Sequence, residues 1–134
     1  MKALRVLIIE DETLIALLFA EVLTELGHDV CASERTEAGA IAAAARSKPD
    51  LIIADVRLQE GSGITAVNTI LTAGFVPHIF VSGDVFDRKA LNPAAGILQK
   101  PFYEAQLVQA IERATELPNV RIGERHAQKL AASE

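Results

Sequence analysis

The segment Leu51-Ile52-Ile53-Ala54-Asp55, residues 51–55, decides the fold class of this chain. Its first four residues are apolar without alternating polar side chains, a pattern typical of a strand that is covered on both faces. Strands of that kind belong to parallel sheets with helices on either side. The segment therefore predicts an α/β protein in which Asp55 stands at the carboxyl end of a deeply buried strand.

Four further apolar runs alternate with helical segments along the rest of the chain, which predicts repeated strand–helix units, (βα)5, around a parallel sheet. The fourth helical segment has room for only about two turns, so we expect it to be short or irregular. The first helix carries a stripe of apolar residues at helical spacing, comprising Leu14, Leu17, Leu18, Val22 and Leu26. The predicted strands are 4–9, 29–33, 51–54, 78–81 and 95–99. The predicted helices are 13–26, 36–47, a third that follows the loop containing Gly61 and Gly63 and ends at Thr72, 84–93 and 104–117.

Composition restricts the class of protein. The chain has 134 residues, which is the size of one domain, and its net charge of -5 argues against non-specific nucleic-acid binding, which needs a basic footprint. The longest wholly apolar run, residues 14–20, is too short for a bilayer, and the start of the chain lacks the order of a secretory signal. Its one cysteine cannot form an intramolecular disulfide. We therefore expect a cytoplasmic protein without membrane insertion or direct nucleic-acid binding.

Chemically active side chains follow four of the five predicted strands. They are Glu10-Asp11-Glu12, Asp55, Ser82 and Lys100. Right-handed crossovers bring the carboxyl ends of parallel strands to one edge of the sheet, where ligands bind. These side chains are therefore expected to converge on one site.

Charge indicates the chemistry of that site. Glu10, Asp11 and Asp55 would repel one another at neutral pH, and a hard cation with oxygen ligands, Mg²⁺, is the usual way to keep such a cluster ionised. A carboxylate beside a metal, an ammonium group and a hydroxyl is suited to accept a phosphoryl group. Since the net charge argues against nucleic acid, proteins and small phosphorylated donors remain as the expected partners.

Each of these residues also has an ordinary structural interpretation. Asp11 could cap the first helix, Asp55 could be a loop aspartate, Ser82 could cap a turn, and Lys100 could be an exposed lysine. None of these interpretations explains why all four stand at the same predicted sheet edge. The joint interpretation as one site is therefore preferred.

Over about residues 4–117 the sequence resembles the response-regulator receiver family, the chemotaxis-type (CheY-like) domain. The matching motifs are Ile8-Ile9-Glu10-Asp11-Glu12, Ile52-Ile53-Ala54-Asp55, Val81-Ser82-Gly83 and Gln99-Lys100-Pro101-Phe102. The resemblance implies a doubly wound, five-stranded parallel sheet of order 2-1-3-4-5. It also implies a phosphorylation-driven switch that is not a conventional enzyme.

The resemblance assigns a role to each site residue. It implies that Asp55 accepts the phosphoryl group and binds Mg²⁺ together with Asp11 and the backbone carbonyl of Arg57, while Glu10 acts through a water. In the same way it implies that Lys100 pairs with the phosphoryl group and that Ser82 hydrogen-bonds it in the active state. A cis bond is expected before Pro101.

Three features differ from the usual receiver pattern. Ile97 stands where receivers usually have the aromatic residue of the switch, and Gln59 stands where many relatives have proline. Ser82 lies closer than usual to Lys100, which shortens the fourth helix. Together with Phe80-Val81-Ser82-Gly83, these features resemble a branch of stand-alone, single-domain receivers.

Other functions of similar architecture fit the sequence less well. A flavin- or nucleotide-binding domain of the same architecture needs a glycine-rich or hydroxyl-rich phosphate loop after the first strand, where this chain has three acidic residues. An aspartyl phosphatase would need a second acid at the position of Arg57. A phosphorylation-independent interaction module of the same fold is the remaining alternative, and the intact set of site residues argues against it.

The domain is expected to cover residues 1–118, and residues 119–134 form a weakly amphipathic, charged tail that could be an extra helix, a docking segment or a linker. The resemblance implies a sensor histidine kinase or a histidine phosphotransfer protein upstream and a protein target downstream. Homodimerisation stays open.

Overall fold

The computed structural model describes residues 2–84 and 88–116. One parallel sheet of five strands, in the order β2-β1-β3-β4-β5, forms its centre. The strands are β1 (Arg5–Ile9), β2 (Asp29–Glu34), β3 (Leu51–Asp55), β4 (His78–Ser82) and β5 (Gly96–Gln99). The helices are α1 (Thr13–Glu25), α2 (Glu37–Ser47), α3 (Gly63–Leu71) and α4 (Glu104–Glu116). The predicted fold class and strand order are confirmed.

Helices cover both faces of this sheet. Alternate side chains of a strand point to opposite faces, so Ile53 packs with α1 and α4 while its neighbours Ile52 and Ala54 pack with α2 and α3. Side chains on both faces of β3 are therefore buried under helices, which explains the unbroken apolar run of residues 51–54. On α2, Ala40 and Ala43 are fully buried, and their small side chains allow that helix to lie close to the sheet.

Helix boundaries follow from local capping. Thr36 caps α2 by accepting a hydrogen bond from the Gly39 N–H at 3.0 Å, and Ser62 caps α3 by accepting one from the Ile64 N–H at 3.1 Å. Helix α2 ends at Lys48, whose φ of 49° is left-handed. The predicted boundaries agree to within a residue or two in these elements.

The fourth helical segment is short, as expected. A single 3-10 turn, Arg88–Ala90, stands between β4 and β5. Residues 85–87 lie outside the described part of the chain, as do Leu117 and the predicted tail at 119–134. In the described ranges, every helix is too short or too polar to cross a bilayer.

Most of the apolar stripe predicted on the first helix does not face the core. Leu14, Leu17 and Leu18 are 70%, 60% and 54% exposed, whereas α1 buries Ala16, Phe19 and Leu23. Helix α1 carries apolar side chains on more than one side, so helical periodicity fits two faces and only the docking of the helix on the sheet selects one. Leu14, Leu17 and Leu18 therefore form an exposed apolar surface, whereas Val22 of the predicted stripe packs against the core.

Protonation of a buried histidine should weaken this fold in acid. His78 in β4 is 1% exposed, its Nδ1 lies 2.7 Å from the Val76 carbonyl oxygen, and its ring contacts those of Phe75 and Phe80. Burial lowers its pKa from the usual 6.5, despite the opposing effect of the Val76 hydrogen bond. The unfolded chain then binds the proton more readily than the folded one below about pH 6.5, so stability falls as the pH falls.

We expect the urea midpoint of the His78→Leu variant to decline less than that of the wild type between about pH 6.5 and 5. Comparing how steeply the urea midpoint changes with pH in the two proteins cancels the contributions of titrating groups common to both. Identical slopes would contradict a neutral, buried His78.

Candidate functional site

The carboxyl ends of four strands bring the predicted site residues together. Ile9 of β1 pairs with Ala54 of β3, so Glu10 and Asp55 come next to each other at the same level. Ser82 ends β4, and its carbonyl oxygen accepts the backbone N–H of Lys100 at 2.8 Å. The predicted convergence at one sheet edge is what the structure contains.

Three carboxylates and one ammonium group form the centre of the site. Oxygens of Glu10, Asp11 and Asp55 all lie within 4.8 Å of one another. The Lys100 Nζ lies 3.9 Å from Glu10 Oε1 and 3.7 Å from Asp55 Oδ2. The side chain of Glu10 is 2% exposed and that of Asp55 is 15% exposed, so Asp55 is the carboxylate of this pair that a reagent from solution can reach.

Glu10 titrates near neutrality in this arrangement. Its pKa is raised from 4.5 to about 7. Burial is the largest cause of the rise, and the charge of Asp55 also contributes to it. The Glu12 N–H, which donates to Glu10 Oε2 at 3.1 Å, and the charge of Lys100 oppose that rise. A nearby cation would favour the ionised form of Glu10.

The donor set fits a hard divalent cation. Three carboxylates whose oxygens lie within 4.8 Å of one another share one ammonium group, which is within 4 Å of Glu10 and Asp55, and every candidate ligand atom is a carboxylate oxygen. Oxygen ligands of this kind suit Mg²⁺ or Ca²⁺. The predicted acidic cluster is thus present and carries unneutralised charge.

A backbone N–H that sequence reasoning missed reaches this cluster from the loop after β3. The Gln59 N–H donates to Asp11 Oδ2 at 2.5 Å, and the Arg57 N–H donates to Asp55 Oδ1 at 3.3 Å. Gln59 stood out in the sequence only as a departure from proline. Proline has no N–H, so the presence of glutamine instead of proline is what supplies the donor. That substitution was the signal in the sequence that could have revealed this contact.

Gly63 is a second residue whose importance the sequence did not show. A Cβ built on Gly63 would overlap the backbone carbonyl oxygen of Asp55, so only glycine lets α3 begin so close to the end of β3. Its N–H donates to the Val56 carbonyl oxygen at 3.0 Å. Next to it, the Ser62 N–H donates to Glu37 Oε1 at 2.6 Å and ties the loop to α2.

The ordinary interpretation of Ser82 holds in this structure. Its hydroxyl donates to the Asp84 carbonyl oxygen at 2.9 Å and accepts the Asp84 N–H at 3.1 Å, which closes a turn after β4. The side chain of Asp84 in turn lies 3.4 Å from Arg57 Nη1. Ser82 is therefore at the site edge with its hydroxyl occupied by its own loop.

The ordinary interpretations of Asp11 and Lys100 are wrong. Glu12, not Asp11, is the N-cap residue of α1, and it makes no side-chain capping hydrogen bond. Lys100 is paired with two carboxylates and is only 30% exposed. The peptide bond between Lys100 and Pro101 is cis, as the resemblance implied.

Comparisons with known proteins agree with this geometry. The family model described as "Response regulator receiver domain" matches residues 6–112. PhyR of Methylorubrum extorquens is 39% identical over 116 residues, which cover 84% of this chain and 43% of that protein. PdtaR of Mycobacterium tuberculosis is 36% identical over 114 residues, which cover 82% and 56%. The receiver domain of Erythrobacter litoralis PhyR superposes with a TM-score of 0.76 at 36% identity, covering 85% and 91%.

The chain spans about half the length of the curated relatives it matches. The match concerns one domain of those regulators, and it includes every strand end that builds the site. The family model, the sheet order and the acidic cluster all lead to one assignment. The chain belongs to the response regulator receiver domain family, a signalling domain of two-component systems and not a classical enzyme.

Proposed function

We propose that Asp55 accepts a phosphoryl group in the presence of Mg²⁺ and that this event switches the domain. The observation that carries the proposal is the position of Asp55, which lies 3.7 Å from the Lys100 ammonium and beside the carboxylates of Glu10 and Asp11. Asp11, Asp55 and the backbone carbonyl of Arg57 would hold the metal, and Glu10 would act on it through a water.

Each residue has a defined task in the transfer. An Asp55 carboxylate oxygen forms the new P–O bond while the P–N bond of a phosphohistidine donor breaks, and the leaving imidazole takes a proton from solvent. The Lys100 ammonium is placed to pair with charge on the transferred group. Mg²⁺, when bound, neutralises charge on the phosphoryl oxygens.

Ser82 supplies the conformational response. Its hydroxyl now closes the turn with Asp84, and phosphoryl oxygens offer a stronger, charged acceptor for the same O–H. Moving the hydroxyl to that acceptor breaks the turn and shifts the loop after β4. A loop that follows β4 is therefore the element through which phosphorylation would reach the surface.

Mass spectrometry with a small phosphodonor tests phosphoryl acceptance. We expect the intact protein to gain the mass of one phosphoryl group from acetyl phosphate with Mg²⁺, and to gain nothing when a chelator removes the metal. Reduction with borohydride, which traps acyl phosphates, should map the modification to Asp55. Metal-independent labelling, or labelling mapped elsewhere, would overturn the proposal in favour of a phosphorylation-independent module.

Metal binding should depend on pH through Glu10. Its pKa of about 7 means that Glu10 gains a proton as the pH falls below neutrality, so the cluster loses one negative charge. We expect the Mg²⁺ affinity to fall by up to about tenfold per pH unit below pH 7 and to level off above it.

Calorimetric titration with Mg²⁺ across about pH 6 to 8 measures this dependence. Repeating it in buffers of different ionisation enthalpy counts the protons released. The Glu10→Gln variant should bind more weakly at high pH and show a nearly flat profile. A wild-type affinity that does not change over this window would refute the role given to Glu10.

The partners proposed for this site are a sensor histidine kinase or a histidine phosphotransfer protein as donor and a protein target as receiver of the signal. The regulators that the chain resembles support that class of partner. We assign the receiver to residues 1–118 and keep residues 119–134 as a separate tail. A cytoplasmic setting suits a donor with a cytoplasmic phosphohistidine, and self-dephosphorylation by water would reset the switch.

A further inference from the structure

Glu37, at the start of α2, contacts the loop between β3 and α3 at two points. Its Oε1 accepts the Ser62 N–H at 2.6 Å. A Cβ built on Gly61 would overlap the Glu37 carboxylate, so the backbone of the loop lies directly against that side chain. Glu37 is half-buried, and its hydrogen bond to the loop is therefore partly shielded from water.

The same loop carries the N–H that reaches the acidic cluster. Arg57 and Ser62 form an isolated antiparallel bridge, so the loop closes on itself and Gln59 lies in the short stretch between them. The Gln59 N–H donates to Asp11 Oδ2 at 2.5 Å. Leu58, its neighbour, is 9% exposed and packs in the core with α2 and α3. The position of the Gln59 N–H thus depends on two anchors, the Leu58 side chain in the core and the contact of Ser62 with α2.

A second contact joins this part of the chain to Asp11 itself. The Arg35 Nε donates to the Asp11 carbonyl oxygen at 3.2 Å. Arg35 and Glu37 are two positions apart, and Thr36, which lies between them, is the N-cap of α2. One short segment at the start of α2 therefore contacts both loops that supply the acidic cluster, the loop after β1 and the loop after β3.

The orientation of Asp11 matters for a cation. Asp11 offers one of three carboxylate oxygens that lie within 4.8 Å of one another, so its rotation decides whether the three can bind the same ion. A hydrogen bond at Asp11 Oδ2 restricts that rotation. Removing a group that orients a metal ligand typically lowers metal affinity by about 10- to 100-fold. Any residue that places the Gln59 N–H should therefore influence metal binding.

We propose that Glu37 is a positioning residue of the metal site, which holds Ser62 and thereby places the Gln59 N–H that orients Asp11. The inference rests on the proposed function, in which Asp11 is a ligand of Mg²⁺. Among the described residues, Glu37 lies outside the group of carboxylates that could hold the ion. It acts on the site only through the loop.

Calorimetric titration with Mg²⁺ at one fixed pH tests this role. We expect Glu37→Ala to weaken Mg²⁺ binding by about tenfold or more. Glu37→Gln keeps an oxygen acceptor for the Ser62 N–H and should restore affinity close to that of the wild type. If Glu37 acted only by its charge at the start of α2, glutamine would not restore it.

Glu60→Ala is the matched control, because it removes the same charge from the loop itself. Glu60 is exposed, and within residues 2–84 and 88–116 it has no hydrogen bond or ion pair. This variant should bind Mg²⁺ like the wild type.

Hydrogen exchange in the metal-free protein gives an independent readout. The Gln59 amide hydrogen is bonded to Asp11, so its exchange should rise in Glu37→Ala and stay at the wild-type level in Glu37→Gln and Glu60→Ala. Exchange of the β3 amides should not change in any of the three variants. A comparable rise in β3 would make Glu37 a general structural residue and would overturn the proposal.

The outcomes separate this role from the proposed function. Equal Mg²⁺ affinity of Glu37→Ala and the wild type would overturn the role of Glu37 and leave the proposed function standing. Weaker binding that Glu37→Gln does not restore would assign the effect to charge and would also overturn it. A wild-type protein that binds no Mg²⁺ would instead contradict the proposed function, and with it this inference.

Discussion

Asp55→Asn is expected to abolish phosphoryl acceptance while leaving the fold intact. The amide has the shape of the carboxylate but cannot act as the nucleophile. Removing this charge also removes one cause of the raised pKa of Glu10. Labelling by acetyl phosphate with Mg²⁺, followed by mass spectrometry, measures the loss, and urea unfolding checks the fold.

Asp29→Asn is the matched control. Asp29 begins β2 at the opposite edge of the sheet, and its carboxylate lies 3.8 Å from Arg5 with both side chains at least half exposed. That variant should be labelled at the wild-type level. Wild-type labelling of Asp55→Asn would remove Asp55 from its proposed role, even if the family assignment stands.

Gly63→Ala is expected to destabilise the protein by about 3 kcal/mol and to impair the site at the same time. The added methyl group would overlap the Asp55 carbonyl oxygen, which is backbone and cannot rotate away. Relief requires α3 to move outward, which would stretch the hydrogen bond from the Gly63 N–H to Val56. Urea unfolding measures the free energy, and phosphodonor labelling measures the effect on Asp55.

Gly83→Ala provides the comparison for that change. Gly83 is exposed, and a Cβ built on it meets no atom within 4 Å. Its stability should change by no more than about 0.5 kcal/mol. If Gly63→Ala were as stable as Gly83→Ala, the close approach of α3 to Asp55 would not constrain the fold.

Much of this architecture was predictable from the apolar pattern of the strands and from their alternation with helices. An apolar run without alternation requires cover on both faces, and β3 is covered by α1 and α4 on one face and by α2 and α3 on the other. The convergence of Glu10, Asp55, Ser82 and Lys100 followed from the rule that parallel strands end at one edge. Those predictions depended on topology alone.

The missed features depend on distances between segments that are remote in the chain. Periodicity could not tell which side of α1 docks on the sheet, because that helix is apolar on more than one side. The Gln59 N–H meets Asp11 across 48 positions of sequence, and Gly63 matters because of a carbonyl oxygen eight residues away. No local pattern encodes these approaches.

By itself, the amino-acid sequence determined the α/β class, the order of strands and helices along the chain and which residues gather around Asp55. Strand periodicity and the chemistry of side chains are local properties, so they can be read without the fold. Only the tertiary structure decided that Glu10 is buried with a raised pKa, that the Ser82 hydroxyl is held by its own turn and that Leu14, Leu17 and Leu18 face outward. Burial, charge coupling and exposure arise from the packing of distant segments, so they exist only once the chain has folded.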